Sequence, residues 1–236
     1  TAPSRLSIVQ GVFSDLMNNT DYHGMNVALM RFDSGGHGGF FVSPMQQLNA
    51  TSKSSIIAAS NNFTAGGNTP LSETLYEAAR LYGGLSVDFG SSSSPATNHA
   101  DWFTGTTYDS PITSECQANN IVLLTDCVPT SDNEANNSIR TNFLNGASCN
   151  GNCLNEVAEY LHTQDQNGTI TGDQTVDTFP IGFTTNQALL EETALAGGGV
   201  VPARGVGNNH YFTTSSTSGL ASAFNKIPGN VKKRND

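Results

Sequence analysis

Apolar residues recur along this chain at two spacings, and each predicts its own kind of element. Leu6, Val9, Phe13, Leu16 and Met17 fall three or four apart, which predicts a helix from about Arg5 to Asn18. Asn26 to Phe32 reads as a strand, and Phe40 to Ser43 as a short partner after the Gly-rich turn Ser34 to Gly39. Ser52 to Ser60 predicts a short helix. In GGNTPLSETLYEAARLY, Leu71, Leu75, Ala78, Ala79 and Tyr82 share one helical face, with Thr69 as the expected N-cap and Pro70 at the first position. Further on, the pattern predicts helices at Glu134 to Leu144, Cys153 to Gln164, Gln187 to Ala196 and Ser218 to Ile227. It predicts strands at Val176 to Phe183 and, edge-like, at His210 to Thr213.

The run Ile121-Val122-Leu123-Leu124 is short, aliphatic and bounded by turn residues, as expected of a strand buried on both faces of a parallel sheet. It delivers Thr125 and Asp126 to its carboxyl end, where open α/β sheets bind their ligands. Taken alone, Asp126 reads first as a cap for the helix or turn that follows. Strands alternating with helices predict one α/β domain, doubly wound, with a mostly parallel central sheet flanked by helices. Residues 83–114 carry SSSSP and several aromatics and read as an irregular surface insertion.

Taken together, NTPLSETLYEAARLY, NNIVLLTD, DTFPIGF and LLEETALAGGG resemble a von Willebrand factor A domain. With SRLSIVQGVFSDL, NVALMRF, SPITSECQANN, CLNEVAEYLHTQD and LASAFNKI in this order, the likeness is to the A domain of type IV pilus tip adhesins, the PilY/PilC group. The resemblance spans nearly the whole chain. It implies a metal-ion-dependent adhesion site holding Mg²⁺ (or Ca²⁺ or Mn²⁺), with Thr69 as the second-loop threonine and Asp126 as the third-loop aspartate. Hard oxygen ligands and an open position for a partner's carboxylate suit that chemistry.

The first loop of that site, Asp-x-Ser-x-Ser, has no counterpart. Asp33-Ser34-Gly35 is superficially similar but follows the second strand, and Ala2-Pro3-Ser4-Arg5 already leads into the first helix. The expectation is a fragment of a longer protein, 1–236 forming a single von Willebrand A-like domain whose first strand comes from an upstream segment. Thr69 and Asp126 alone would hold Mg²⁺ weakly. Cys127 stands where the family has Gly, a further departure at a sharp turn.

Charge and cysteines narrow the partners. A net charge of −10 argues against nucleic acid, whose affinity comes from Lys and Arg on phosphates, and against anionic membranes. No apolar stretch is long enough to insert in a membrane. Four cysteines suggest disulfides and an oxidising, extracellular home. Cys116 and Cys127 flank a strand and should lie roughly 30 Å apart, too far to bridge. That leaves Cys149–Cys153 with two free thiols, or crossed pairs such as Cys127–Cys149 with Cys116–Cys153. The stretch Asp165 to Asp173 echoes a calcium loop but has Ile170 where an EF-hand needs Gly, and reads as a polar turn.

No G-x-S-x-G or phosphate-binding loop is present, so an enzyme is not expected. The resemblance implies an adhesion module at a pilus tip, with pilus subunits or minor pilins and a host or surface ligand as partners. The alternative is a structural spacer with a vestigial metal site.

Overall fold

All eight residues of β6 (Val176–Phe183) are buried, and the rest of the fold is arranged about this strand. In the computed structural model, residues 2–35, 37–92, 103–149, 151–200 and 210–232 are described. β6 pairs in parallel with β5 (Asn119–Thr125) on one side and β7 (Phe212–Thr214) on the other. Residues along β6 alternate between two cores, as the two-residue period of a strand requires. Phe179, Ile181 and Phe183 meet α1 (Arg5–Asn18) through Val12, and α7 (Thr217–Lys232) through Leu220 and Ala223. On the opposite face, Val176 joins α3 (Leu71–Tyr82), α5 (Leu154–Thr163) and α6 (Ala188–Ala196) through Leu75, Val157 and Leu190. The chain is therefore a mixed α/β protein with a parallel three-stranded sheet and helices on both faces. α2 (Ser52–Asn61) and α4 (Asn136–Asn142) complete the helices.

β1 (Asn26–Phe32) and β2 (Gly39–Gln47) form an antiparallel hairpin that is not hydrogen-bonded to the parallel sheet. A single central sheet was expected; the described strands form two separate pieces and one small hairpin. A second expectation also fails in part. Leu123 is buried at 5% exposure, but Ile121 and Leu124 are only half-buried and Val122 is 39% exposed. Among the described residues β5 has a strand neighbour on one side only, β6, which agrees with the exposure of Val122.

Helix α3 has eleven buried residues, among them Glu73 and Glu77. Both carboxylates bind backbone N–H groups of loops that lie against the helix. Glu73 accepts from Glu134 at 2.7 Å, and Glu77 accepts from Phe89 at 2.8 Å and from the Tyr108 hydroxyl at 2.5 Å. Burial raises the pKa of both, and these hydrogen bonds oppose the rise. Gly39 starts β2 hard against this helix: a Cβ there would lie 2.5 Å from Thr74 Cγ2.

The 83–114 segment is less irregular than expected in its described parts. β3 (Phe103–Thr104) and β4 (Thr107–Tyr108) form a short hairpin, and Ser86 bridges Thr107. Tyr108 and Ile112 are both 2% exposed, so this segment supplies core side chains. Residues 93–102, with His99 and Trp102, lie outside the described residues. Cys149 and Cys153 are disulfide-bonded with Cα atoms 5.1 Å apart, while Cys116 and Cys127 are free and exposed.

Candidate functional site

The carboxyl ends of β5 and β6 open onto one polar surface, built from the loops after each strand and the loop before α3. Thr125 is buried at the end of β5, and its hydroxyl accepts the Cys127 N–H at 3.2 Å and donates to the Cys127 carbonyl at 3.0 Å. This local turn places Asp126 outward. The Gln187 amide, after β6, also donates to the Cys127 carbonyl at 2.9 Å. The two strand ends are therefore latched together.

Thr69 and Asp126 lie on adjoining loops. Thr69 forms an antiparallel bridge with Thr130, four residues beyond Asp126: Thr130 N–H donates to the Thr69 carbonyl at 3.2 Å, and Thr69 N–H to the Thr130 hydroxyl at 2.9 Å. This extended pairing explains why Thr69 is not the helix cap. Pro70 holds the N-cap position without a side-chain bond, and the helix begins at Leu71. The capping carboxylate comes instead from Asp132, whose Oδ1 accepts the Ser72 N–H and hydroxyl, each at 2.7 Å. Asn152 donates to its Oδ2 at 2.8 Å. Burial pushes the Asp132 carboxyl upward, and the Ser72 and Asn152 bonds pull against it.

The Asp126 carboxylate is engaged by a cation the sequence did not single out. Arg5 Nη1, at the start of α1, donates to Asp126 Oδ2 at 3.2 Å, with side chains 55% and 45% exposed. Against the Mg²⁺ that the resemblance implies, the residues present supply one carboxylate, already paired with a guanidinium, and one threonine. That set does not fit an octahedral site requiring near-ideal oxygen geometry. No group of three or more candidate ligands occurs among the described residues.

Beside this surface, His37 in the β1–β2 turn bonds Glu134 at 2.6 Å, and that carboxylate raises the imidazole pKa. His162 bonds Asp177 at 2.9 Å, and His210 stacks on Phe179 with ring centroids 4.0 Å apart. At the calcium-like stretch, Asp165 Oδ1 accepts the N–H groups of Asn167 and Gln174, at 3.1 and 3.0 Å. That oxygen closes the loop on itself, as a polar turn should.

Sequence reasoning missed Arg5, Thr130 and Asp132 as partners of this surface. An arginine opening a helix and an aspartate in a Pro-Thr-Ser-Asp loop carry no local mark of a bond across more than fifty residues. No family model matches the chain, and no curated protein matches it.

Proposed function

We propose that this chain is an extracellular binding module, the A-type domain of a type IV pilus tip adhesin, with its metal-dependent site incomplete here. The observation that supports it most is the Thr69–Thr130 bridge, which sets the Thr69 loop beside the Asp126 loop at the carboxyl ends of a parallel sheet. Such strand ends are where open α/β sheets carry ligand sites. The Cys149–Cys153 disulfide agrees with an oxidising compartment. Among the described residues no helix is long and apolar enough to cross a membrane.

A second reading, a spacer domain with a vestigial site, is favoured by Arg5 standing on the Asp126 carboxylate. One experiment separates the two. Asp126→Ala in the full-length protein, on cells that still assemble pili, should abolish EDTA-sensitive attachment to a surface. Attachment unchanged by both the substitution and EDTA would reject the adhesion reading in favour of the spacer.

A further inference from the structure

β7 is three residues long, and none of the three is buried, so it has little apolar burial to hold it against β6. It nonetheless fastens the loop after β6. Thr184 N–H donates to the Thr214 carbonyl at 2.7 Å, and the Thr213 hydroxyl donates to the Thr185 carbonyl at 2.9 Å. The Tyr211 hydroxyl, just ahead of the strand, donates to Asn186 Oδ1 at 2.8 Å and accepts the Gln187 N–H at 3.2 Å. Gln187 is the residue whose amide reaches the Cys127 carbonyl beside Asp126. The order of the polar surface therefore depends on what keeps β7 in place.

The buried anchor stands two residues before the strand. His210 is 4% exposed and stacks on Phe179, with the ring planes 26° apart. Its ring also bonds the backbone of Gly197 and Thr178. Two more titratable side chains meet in this corner. Asp177, the second residue of β6, is bonded to His162 at the end of α5, and their side chains are 5% and 32% exposed. Gly198 closes over the pair: a Cβ there would lie 2.7 Å from Asp177 Oδ1 and 2.8 Å from His162 Nδ1. The other elements bring no charge. The turn at 197–199 is all glycine, and α1 and α7 meet Phe179 through Val12, Leu220 and Ala223.

We infer that His210 is an acid-sensitive pin: when its ring takes up a proton it leaves the Phe179 face, and β7 lets go of the 184–187 loop. The proton turns a stacked neutral ring into a buried cation. The attraction of that cation for the Phe179 face is smaller than its loss of hydration. Burial accordingly lowers the His210 pKa. The bonds to Gly197 and Thr178 oppose this, and the charge of His162 adds to it. The docked ring thus binds its proton less tightly than a free histidine, whose value is about 6.5. Docking of β7 is fully supported above that value and weakens as pH falls below it through the lowered one. Glu77, whose carboxyl burial raises, acts in the opposite sense. The inference goes beyond the proposed function and holds whatever the polar surface binds.

The test is an NMR titration of the 236-residue chain, following the His210 ring and the backbone amides of β5, β7 and Gln187. The His210 midpoint should lie below about 6.5. The amides of Phe212 to Thr214 and of Gln187 should move with that same midpoint, while those of Asn119 to Thr125 stay. Hydrogen exchange of the β7 amides, corrected for the intrinsic effect of pH, should speed up by about tenfold or more relative to the β5–β6 ladder. His210→Phe keeps an aromatic ring over Phe179 with nothing to protonate, so β7 should stay docked throughout. Should that variant fail to fold, as exchange in the β5–β6 ladder reveals, His210→Gln serves the same purpose. His162→Gln removes the opposing charge and should move the His210 midpoint toward 6.5, the free value of about that size. A His210 midpoint at or above the free value would overturn the pin, as would β7 amides that do not follow it. An unchanged acid response of β7 in the His210 variants would do the same. So would loss of the β5–β6 ladder at the same pH, which is unfolding of the whole chain rather than release of one strand.

Discussion

Asp132 caps helix α3 from sixty residues away, its Oδ1 2.7 Å from both the N–H and the hydroxyl of Ser72. The helix start is thereby fastened to the loop after β5, the same loop that carries Asp126 and Thr130. A buried cap bond couples helix stability to the geometry of the whole polar surface.

Removing that carboxylate should be costly. Asp132→Ala leaves the Ser72 N–H and the Asn152 amide without their carboxylate acceptor, while the Ser72 hydroxyl keeps the Asp132 carbonyl at 3.1 Å. The expected loss is about 1–3 kcal/mol, the usual range for lost caps and orphaned buried donors. Thr69→Ala should cost under about 0.5 kcal/mol, since Thr69 bonds Thr130 through its backbone. Urea unfolding of the two variants checks this, and equal losses would refute the assignment of the cap.

Glu77 should give the protein a pH dependence of known sign. Burial raises its folded pKa above the unfolded glutamate value of about 4.3. The folded state therefore binds the proton more tightly, and the stability this contributes is present below the unfolded value and lost as pH rises through the raised one. As pH rises above that unfolded value the chain should lose stability in part through this group. Glu77→Gln should flatten that part of the profile, whatever it does to absolute stability. An unchanged slope in denaturant titrations would refute it.

Thiol chemistry should report two free cysteines of four. Unfolded under non-reducing conditions, the chain should show two titratable thiols, Cys116 and Cys127. Burial, then the Asp126 carboxylate, raise the Cys127 thiol pKa, so its alkylation should keep accelerating above about pH 8.5, the ordinary thiol value. Reduction of Cys149–Cys153 should cost about 2 kcal/mol, the entropy of so short a loop. Four reactive thiols before reduction would exclude the disulfide.

The Arg5–Asp126 pair sets an expectation for metal. With a guanidinium on the only carboxylate of the expected pair, Mg²⁺ added to this chain should leave its thermal midpoint unchanged. Arg5→Ala should itself change stability little, because both side chains are about half exposed and solvent screens the pair. A rise in midpoint with Mg²⁺ that Asp126→Ala abolishes would show that this chain holds the ion after all.

Where residues interact with near neighbours in sequence, the pattern sufficed. The helix from Arg5 to Asn18 and the strands Asn26–Phe32 and Val176–Phe183 stand where the spacing placed them. So does the polar turn from Asp165 to Asp173, whose oxygens bond within the turn or to Gln174 next to it. The disulfide was narrowed but not chosen: strand length excluded Cys116–Cys127, while Cys149–Cys153 and the crossed pairs stayed equal until the fold set 5.1 Å between two Cα atoms.

By itself, then, the sequence determined the helices and the longer strands, though not the β3–β4 hairpin, and that a strand delivers Asp126 to a carboxyl end, because periodicity and turn residues act over a few positions. Only the tertiary structure decided that Asp132 rather than Thr69 caps α3, that Arg5 meets Asp126, and that Tyr108 and Ile112 belong to the core. It alone left Val122 exposed in a run that reads as fully buried. An aliphatic strand signals the burial it is built for, but whether a neighbour covers it depends on which other strand lies alongside.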